Sequence, residues 1–234
     1  MRQVVLDTET TGLEAKDGHR IIEVGAIEIV SRRITERRLH HYINPERGSD
    51  DGAVTVHGLT DEFLADKPKF ADIVDDLLAF VRGAEVIIHN APFDLEFLDA
   101  ELARLGRAAF REHCAKVTDT LKLARELHPG KRNSLDALCE RYGVSNRHRT
   151  LHGALLDAGL LAEVYLAMTR GQDSLAMELA QSPTQSDAGE IDVSKLIVLP
   201  AAPEEVAAHE AVLASIEAEI KRPPVWIAAA ATTD

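Results

Sequence analysis

Three apolar runs near the start of the chain have the composition of β-strands. Residues 4–8 are mostly apolar, which predicts a buried strand, and Ile21–Val30 is rich in β-branched residues. Residues 33–43 are of mixed polarity, as expected for a strand at the edge of a sheet. Because the connections between these runs are short, we expect the three strands to pair antiparallel.

Further along, apolar positions at helical spacing alternate with short apolar runs. Thr60 can cap a short helix through Phe63 and Leu64, and Phe70–Val81 has its apolar residues on one helix face. The same alternation predicts strands at 85–89 and Lys116–Asp119, and helices at 92–105, Thr120–Leu127, 134–142 and 153–168. Antiparallel strands followed by strand–helix alternation predict an α/β domain with a mixed central sheet flanked by helices.

The composition changes after Arg170. The stretch up to residue 194 is rich in Gln, Ser, Asp and Ala, which is typical of a flexible linker. Pro203 then opens a helix-like segment whose larger apolar residues fall near one face: Val206, Leu213, Ile216 and Ile220. We therefore expect three parts: a domain at 1–170, a linker at 171–194 and a C-terminal segment at 195–234, the last two forming a flexible tail.

Cysteine usage and hydropathy indicate a cytoplasmic protein. Cys114 and Cys139 lack metal-ligand spacing and are too few for a disulfide framework, so we expect a reducing compartment. The N-terminus enters a strand-like run at once, and no apolar stretch approaches the length of a membrane span.

The net charge of −13 disfavours tight binding of nucleic acid by this chain alone. Residues 1–170 hold 28 acids and 23 bases, a balance of −5, whereas residues 171–234 hold 11 acids and 3 bases, a balance of −8. Most of the acidic excess therefore lies in the last quarter. If the chain acts on DNA or RNA, we expect a partner to hold the substrate.

An Asp-x-Glu pair stands where the first apolar run gives way to the polar turn Thr10-Thr11-Gly12. Asp7 and Glu9 are two apart in a strand, so both side chains leave the same face. A strand end is where open sheets commonly hold ligands. The alternative is a polar strand terminus before a turn, and we favour function because the pair continues an apolar strand.

Asp94 lies in the first turn of the helix that Pro92 opens. The helix dipole favours an acid there by about 0.3–1 kcal/mol, which is the simpler explanation. This turn follows directly after the strand predicted at 85–89, however, so Asp94 lies at a strand end and could come close to Asp7.

His152 and Asp157 are five residues apart, and they would turn by about 500° on a continuous helix, so they would not share a face. If both serve one site, His152 must lie on the loop before the helix and Asp157 inside it. Gly153 gives this loop its freedom, and a loop histidine can accept a proton from water. The alternative is a helix-terminal histidine and an ordinary surface acid, and the pair alone leaves both open.

Positive charge precedes His152 in two segments, Gly130-Lys131-Arg132-Asn133 and Asn146-Arg147-His148-Arg149. Both could contact substrate phosphates. A solvated basic loop explains any one of these residues equally well.

Together, four carboxylates and one histidine suit a phosphodiesterase that uses two divalent ions. Carboxylate oxygens prefer hard cations such as Mg²⁺ or Mn²⁺. Two such ions can stabilise the attacking and leaving oxygens of an in-line displacement. The predicted catalytic set is Asp7, Glu9, Asp94 and Asp157 as metal ligands, with His152 as the base.

This set resembles the pattern of the DEDDh (DnaQ-like) 3′–5′ exonucleases, in particular those that proofread for bacterial DNA polymerase III. The family pattern, Asp-x-Glu, Asp and His-x4-Asp, falls on Asp7, Glu9, Asp94, His152 and Asp157. The similarity extends to residues 56–64, 130–139 and 154–168, and so covers nearly all of 1–170. It implies a ribonuclease H-like fold and the removal of mispaired 3′-terminal nucleotides as 5′-mononucleotides.

The resemblance also implies contacts to the terminal nucleotide. They are expected from Asp7, Glu9, Asp157, His57 and the backbone near Thr10. One departure concerns a further acid that the family leads us to expect a few residues before His57. The chain has Asp50-Asp51-Gly52-Ala53 in this region, and we leave that contact unassigned.

The C-terminal part is similar to the tails of the same family members. Residues 172–177 resemble a sliding-clamp-binding peptide, with contacts expected at Gln172, Ser174, Leu175 and Met177. Residues 204–213 resemble a polymerase-binding tail, which implies the catalytic alpha subunit of DNA polymerase III as the partner of 195–234, and some members also bind a small third subunit. The alternatives are a linker hexapeptide and a helix that folds back onto its own domain.

Two other functions are open at this point. An exonuclease that trims RNA would share the catalytic residues, although a clamp peptide and a polymerase-binding tail have no obvious use there. The chain could also be chiefly an assembly subunit that tethers polymerase to clamp, although its complete catalytic set argues against an inactive site.

Overall fold

The computed structural model describes residues 2–147, 151–170 and 201–221. Contacts within the chain separate two compact units, Met1–Gln181 and Ser182–Asp234, which are described in turn. The predicted linker at 171–194 lies outside the described residues, so the three-part division of the chain stays a prediction.

A five-stranded sheet forms the centre of the first unit. Its strands are β1 (Arg2–Thr10), β2 (Ile21–Val30), β3 (Arg33–Tyr42), β4 (Glu85–Ile88) and β5 (Lys116–Asp119). Their spatial order is β3-β2-β1-β4-β5; the first three strands pair antiparallel, whereas β1 with β4 and β4 with β5 pair parallel. The predicted mixed sheet is confirmed.

The helices include every one predicted from apolar spacing. They are α1 (Asp51–His57), α2 (Asp61–Leu64), α3 (Phe70–Val81), α4 (Ala91–Arg104), α5 (Thr120–Leu127), α6 (Leu135–Tyr142), α7 (Ala154–Met168) and, in the second unit, α8 (Pro203–Ile220). The hydroxyl of Thr60 accepts the backbone N–H of Phe63 at 3.2 Å, which is the predicted cap of α2. Within the described ranges, none of these helices has the length and apolarity that crossing a membrane requires.

β1 is longer than the predicted strand at 4–8, because β2 pairs with it beyond its apolar part. Asp7 pairs with Gly25 and Glu9 with Glu23, so both acids lie within the strand. The register shifts after Glu9, and the strand ends at Thr10.

The two faces of the sheet carry separate apolar cores. Leu6 of β1 packs with residues of α3 and α4, whereas Val5 packs with residues of α6 and α7. Because side chains alternate along a strand, Asp7 and Glu9 continue the row of Val5, and Thr8 continues the row of Leu6. The acid pair therefore faces α7, as one shared face requires, and Thr8 faces α4.

In the second unit, α8 is the predicted helix, and its side chains are largely exposed. Val206, Val212 and Ile216 are 44%, 58% and 38% exposed. Lys221, with φ of 52°, ends the helix in the left-handed conformation. Burial of these side chains against a partner would be favourable, since each apolar side chain of this size contributes about 1.5–3 kcal/mol when fully buried.

Candidate active site

The N-terminus of α7 rests directly on the backbone of β2 at Gly25. A Cβ atom on Gly25 would lie 2.2 Å from the nitrogen of Leu155 and 2.3 Å from the carbonyl carbon of Ala154. Only glycine permits this approach. Because Gly25 pairs with Asp7, the contact places Asp157, in the first turn of α7, close to the acid pair of β1.

Asp94 is delivered by the turn from β4 into α4. Asn90 makes this turn in the left-handed conformation, with φ of 64° and ψ of 50°. In the first turn of α4, Oδ1 of Asp94 accepts a hydrogen bond of 2.8 Å from the hydroxyl of Thr8. This bond ties Asp94 to Thr8, the neighbour of Asp7 in β1, and the proximity of Asp94 to Asp7 itself stays a prediction.

Burial raises the pKa of the Asp94 carboxyl to about 7, because only 3% of the residue is exposed. Hydrogen bonds from Thr8 oppose this shift, and the negative charge of Asp119 adds to it. A nearby cation would favour the ionised form. Asp94 is therefore a carboxyl group for which a bound cation is electrostatically favourable.

His152 lies on the loop before α7, as predicted, and α1 anchors that loop. The backbone N–H of His152 donates to the carbonyl of Val56 at 3.1 Å. Leu151 packs on Gly58: a Cβ atom added to Gly58 would lie 2.6 Å from Cδ1 of Leu151. The imidazole Nδ1 is 3.6 Å from Oδ2 of Asp157, too long for a hydrogen bond, and 46% of the His152 side chain is exposed.

Three of the predicted site residues, Glu9, His152 and Asp157, meet as a group of possible metal ligands. One ligand atom from each lies within 4.8 Å of the other two, whereas Asp7 and Asp94 lie outside this group. Glu9 and Asp157 are 9% and 3% exposed. Ionised carboxylates this close and this buried repel each other unless a cation offsets their charge. The donor set therefore fits a hard divalent cation.

A cavity of ≈ 500 Å³ opens beside this cluster. Its polar lining includes Glu9, Thr10, Asp50 and His57, and its apolar wall includes the side chains of Leu13, Val56 and Phe93. A nucleobase can stack on such a wall irrespective of its sequence, because every base has a π-face.

His57 also lines this cavity and is only 4% exposed. Its Nδ1 accepts the backbone N–H of Leu59 at 3.0 Å, so a neutral ring carries its hydrogen on Nε2. Burial, and then the charge of His152, lowers the pKa of His57 and favours this neutral form. Nε2 meets no partner among the described residues, and it can therefore donate to an oxygen of a bound molecule.

The further acid expected before His57 stays unassigned. Asp50 lines the same cavity, and its Oδ2 is 3.4 Å from Nε2 of His19. It lies at the start of α1, farther from His57 than the family pattern leads us to expect.

A second cavity, of ≈ 790 Å³, reaches His152 from α5 and α6. Lys131, from the first predicted basic segment, lines it together with Arg125, whereas Arg132 does not. In the other basic segment, Asn146 donates to Asp136 at 3.0 Å. Residues 148 and 149 of that segment lie outside the described residues, as do the clamp contacts predicted at Gln172, Ser174, Leu175 and Met177.

Three residues that position the site were not identified from the sequence. Gly25 had a usable signal, because a glycine inside a strand often marks a close backbone approach. Gly58 had one as well, since a glycine after a helix commonly adopts the left-handed cap, here with φ of 72°. Thr8 had no signal beyond its place between the two acids.

Comparison with known proteins identifies relatives over most of the chain. Residues 4–165 match the protein-family model described as Exonuclease. The chain is 52% identical over 222 residues to DNA polymerase III subunit epsilon of Escherichia coli (strain K12), which covers 90% of this chain and 91% of that protein. It is 45% identical over 222 residues to the protein of the same name from Rickettsia felis, which covers 92% and 97%.

Solved structures of exonucleases share the fold. Exonuclease X in complex with 5′ overhanging duplex DNA matches with a TM-score of 0.58 and 25% identity, over 73% of this chain and 93% of that chain. A structure of exonuclease I matches with a TM-score of 0.66 and 19% identity, over 76% of this chain and 43% of that chain. The ribonuclease H-like fold expected from the sequence is confirmed.

Proposed function

The chain belongs to the exonuclease family and, within it, to the family of DNA polymerase III epsilon subunits, and from this membership we propose that it proofreads DNA as a 3′–5′ exonuclease. The observation that carries the proposal is the convergence of Glu9, His152 and Asp157 beside a cavity that can accept a nucleotide. The chain hydrolyses the phosphodiester that joins the last nucleotide to the strand. The bond from phosphorus to the 3′ oxygen of the preceding nucleotide breaks, and a 5′-mononucleotide leaves.

Metal dependence is a property that the family implies, and the donor set fits it. We assign two divalent ions, Mg²⁺ or Mn²⁺, to the four acids of the set: Asp7, Glu9, Asp94 and Asp157. When bound, such ions stabilise the charge on the attacking and leaving oxygens. The support is geometric, because β1 carries two of the acids, Thr8 of the same strand holds Asp94, and Gly25 seats the helix that carries Asp157.

His152 accepts the proton of the attacking water in this proposal, and Glu9 helps to orient that water. The imidazole is exposed and lies beside the two carboxylates of the cluster, on a loop whose backbone is held by α1. A general base in such a position typically accelerates a reaction by about 10²–10⁴-fold.

The terminal nucleotide occupies the cavity beside Glu9. Nε2 of His57 donates a hydrogen bond to it, the backbone near Thr10 contacts it, and its base stacks on the apolar wall. This wall offers apolar contact to any base. Preference for mispaired ends then comes from the DNA, because a mispaired nucleotide loses less pairing energy when it leaves the duplex.

Rates on primer–template duplexes in Mg²⁺ test this function. We expect a mispaired 3′ end to be removed about tenfold faster than a paired one, since a difference of about 1.4 kcal/mol in unpairing suffices. The control is the same pair of primers without template, which should be degraded at equal rates. Faster cleavage of a matched RNA oligonucleotide than of DNA would instead favour the RNA-trimming function.

We further propose that the tail carries this site to the primer end. The C-terminal segment 195–234 binds the catalytic alpha subunit of the polymerase, residues 172–177 bind the sliding clamp, and the cytoplasm is the location. Two observations support a tethered site: the balance of −5 over residues 1–170 limits direct binding of DNA, and α8 exposes several apolar side chains.

Removal of residues 171–234 should separate assembly from catalysis. The truncated protein should lose binding to the alpha subunit in a pull-down. It should keep its turnover of the p-nitrophenyl ester of thymidine 5′-monophosphate, because the catalytic set lies before residue 171. Full binding of the alpha subunit by the truncated protein would show that the account of the tail is wrong.

A further inference from the structure

The cavity of ≈ 790 Å³ on the far side of His152 has no role in the proposed reaction. It runs from His152 past Asn90, at the start of α4, to Leu121 and Arg125 of α5 and to Lys131 in the loop before α6. We call this cavity the α5–α6 groove. His152 lines the groove, and Glu9 lines the nucleotide cavity. Because ligand atoms of these two residues lie within 4.8 Å of each other, the cluster separates two cavities.

Two cations in the α5–α6 groove have no ion-pair partner among the described residues. Arg125 and Lys131 are exposed, and neither forms an ion pair with any other residue in the described part of the chain. Some basic residues of the fold are engaged, among them Arg20, 2.6 Å from Glu101, and Lys116, 2.9 Å from Glu85. In a domain with a negative balance, unpaired cations in a groove favour an anionic ligand.

The loop that carries Lys131 is held in place by its neighbours. Arg141 of α6 donates to the side-chain oxygen of Asn133 at 2.9 Å and to the carbonyl of Arg132 at 2.6 Å. The backbone N–H of Lys131 donates to the carbonyl of His128 at 3.2 Å. The backbone on both sides of Lys131 is thus fixed, which lowers the entropy cost when its side chain binds a ligand.

We propose that the α5–α6 groove binds the sugar–phosphate backbone on the 5′ side of the scissile phosphate, with Arg125 and Lys131 contacting phosphates. The inference rests on the proposed function. If the terminal nucleotide fills the cavity beside Glu9 and the scissile phosphate lies at the cluster, the preceding nucleotides must leave the cluster on another side. The α5–α6 groove begins at His152 and holds two cations without an ion-pair partner among the described residues, against one acid, Asp136, whose carboxylate accepts a hydrogen bond from Asn146.

A third cavity, of ≈ 580 Å³, is the competing exit for the strand. It approaches the site at Gly153, and Arg38 lies on its wall. Its lining exposes mainly apolar atoms and includes none of the five predicted catalytic residues. The variant Arg38→Ala therefore tests this alternative path.

Steady-state kinetics of the full-length protein on two substrates tests the proposal. A short single-stranded oligonucleotide extends into the α5–α6 groove, whereas the p-nitrophenyl ester of thymidine 5′-monophosphate has no nucleotide before the scissile bond. The test variants are Arg125→Ala, Lys131→Ala and Lys131→Glu. The matched control is Lys122→Ala, on the same helix as Arg125, because Lys122 does not line the groove.

We expect each alanine variant to raise the KM for the oligonucleotide about threefold to tenfold, with a larger rise for Lys131→Glu. Because bonds to phosphates carry no base information, the rise should be the same for all sequences. The dependence of log KM on log salt should become shallower by about 0.7 for each phosphate of the single strand that the variant no longer neutralises. Turnover of the nitrophenyl ester should be unchanged in every variant.

Three results would overturn the proposal. The oligonucleotide KM of the test variants could equal that of the control, both substrates could be affected alike, or Arg38→Ala could raise the KM instead. A failure of this kind leaves the proposed function intact, provided that the wild-type protein still shortens the oligonucleotide from its 3′ end.

Discussion

The Asp157→Ala variant is expected to lose at least about 10³-fold in kcat for 3′-end removal. Asp157 is buried in the first turn of α7, where its carboxylate converges with Glu9 and His152. The substitution removes one of the acids that are proposed to hold the ions at the reacting phosphate. The measurement is kcat on a mispaired primer in Mg²⁺.

Thermal unfolding separates this loss from misfolding. Without metal, Asp157→Ala should not lower the Tm, because the substitution removes a buried negative charge close to Glu9. The wild-type Tm should rise with Mn²⁺, because an ion that binds only the folded state stabilises it, and the variant should lose most of this rise. Glu163→Ala, on the exposed side of the same helix, should keep full activity. Undiminished activity in Asp157→Ala, or in Asp7→Ala, would refute the metal-site assignment.

The Gly25→Ala variant is expected to have the largest effect among residues outside the catalytic set. The added Cβ would lie 2.2 Å from the backbone nitrogen of Leu155, so α7 must move away from β2. Overpacking of this kind costs about 1–3 kcal/mol, which corresponds to a fall in Tm of roughly 3–10 °C for a domain of this size. A shift of about 1 Å in Asp157 and the His152 loop should lower kcat by about 10²-fold.

Gly159→Ala is the matched control for this prediction. It lies on the same helix, and its added Cβ would lie 3.5 Å from Cδ1 of Ile27, an ordinary contact. The substitution should preserve activity and stabilise the helix by up to about 1 kcal/mol. If Gly25→Ala kept both the Tm and the kcat of the wild type, the contact between α7 and Gly25 would not position the site.

Most of the fold follows from the spacing of apolar residues. Phe70–Val81 is an amphipathic helix with the bounds that its apolar positions predict. The short run that became β4 is rich in β-branched residues, which favours a strand. α1 escaped prediction because it is only 7 residues long, too short for its few apolar residues to establish a helical period. It is held by contacts distant in sequence, such as that between Val56 and His152.

The catalytic set was predictable as a list of residues but not as a geometry. The pattern placed Asp7 and Glu9 on one face, and helix periodicity required His152 to precede α7. Neither could reveal that Gly25 seats α7 or that Thr8 holds Asp94, because both contacts are made across the fold. The tautomer of His57 likewise depends on a single backbone N–H, that of Leu59.

The most direct test of the central claim, that the cluster on β1 and α7 is an editing site for 3′ ends, is the identity of the released product. A primer with a mispaired last nucleotide, labelled at the phosphate that joins this nucleotide to the strand, is incubated with the protein and Mg²⁺. The account predicts that the label leaves as a free 5′-mononucleotide with the wild-type protein, and that it stays on the primer with Asp157→Ala. Release of the label in longer oligonucleotides, or retention of the label at the new 3′ end after cleavage, would contradict the account.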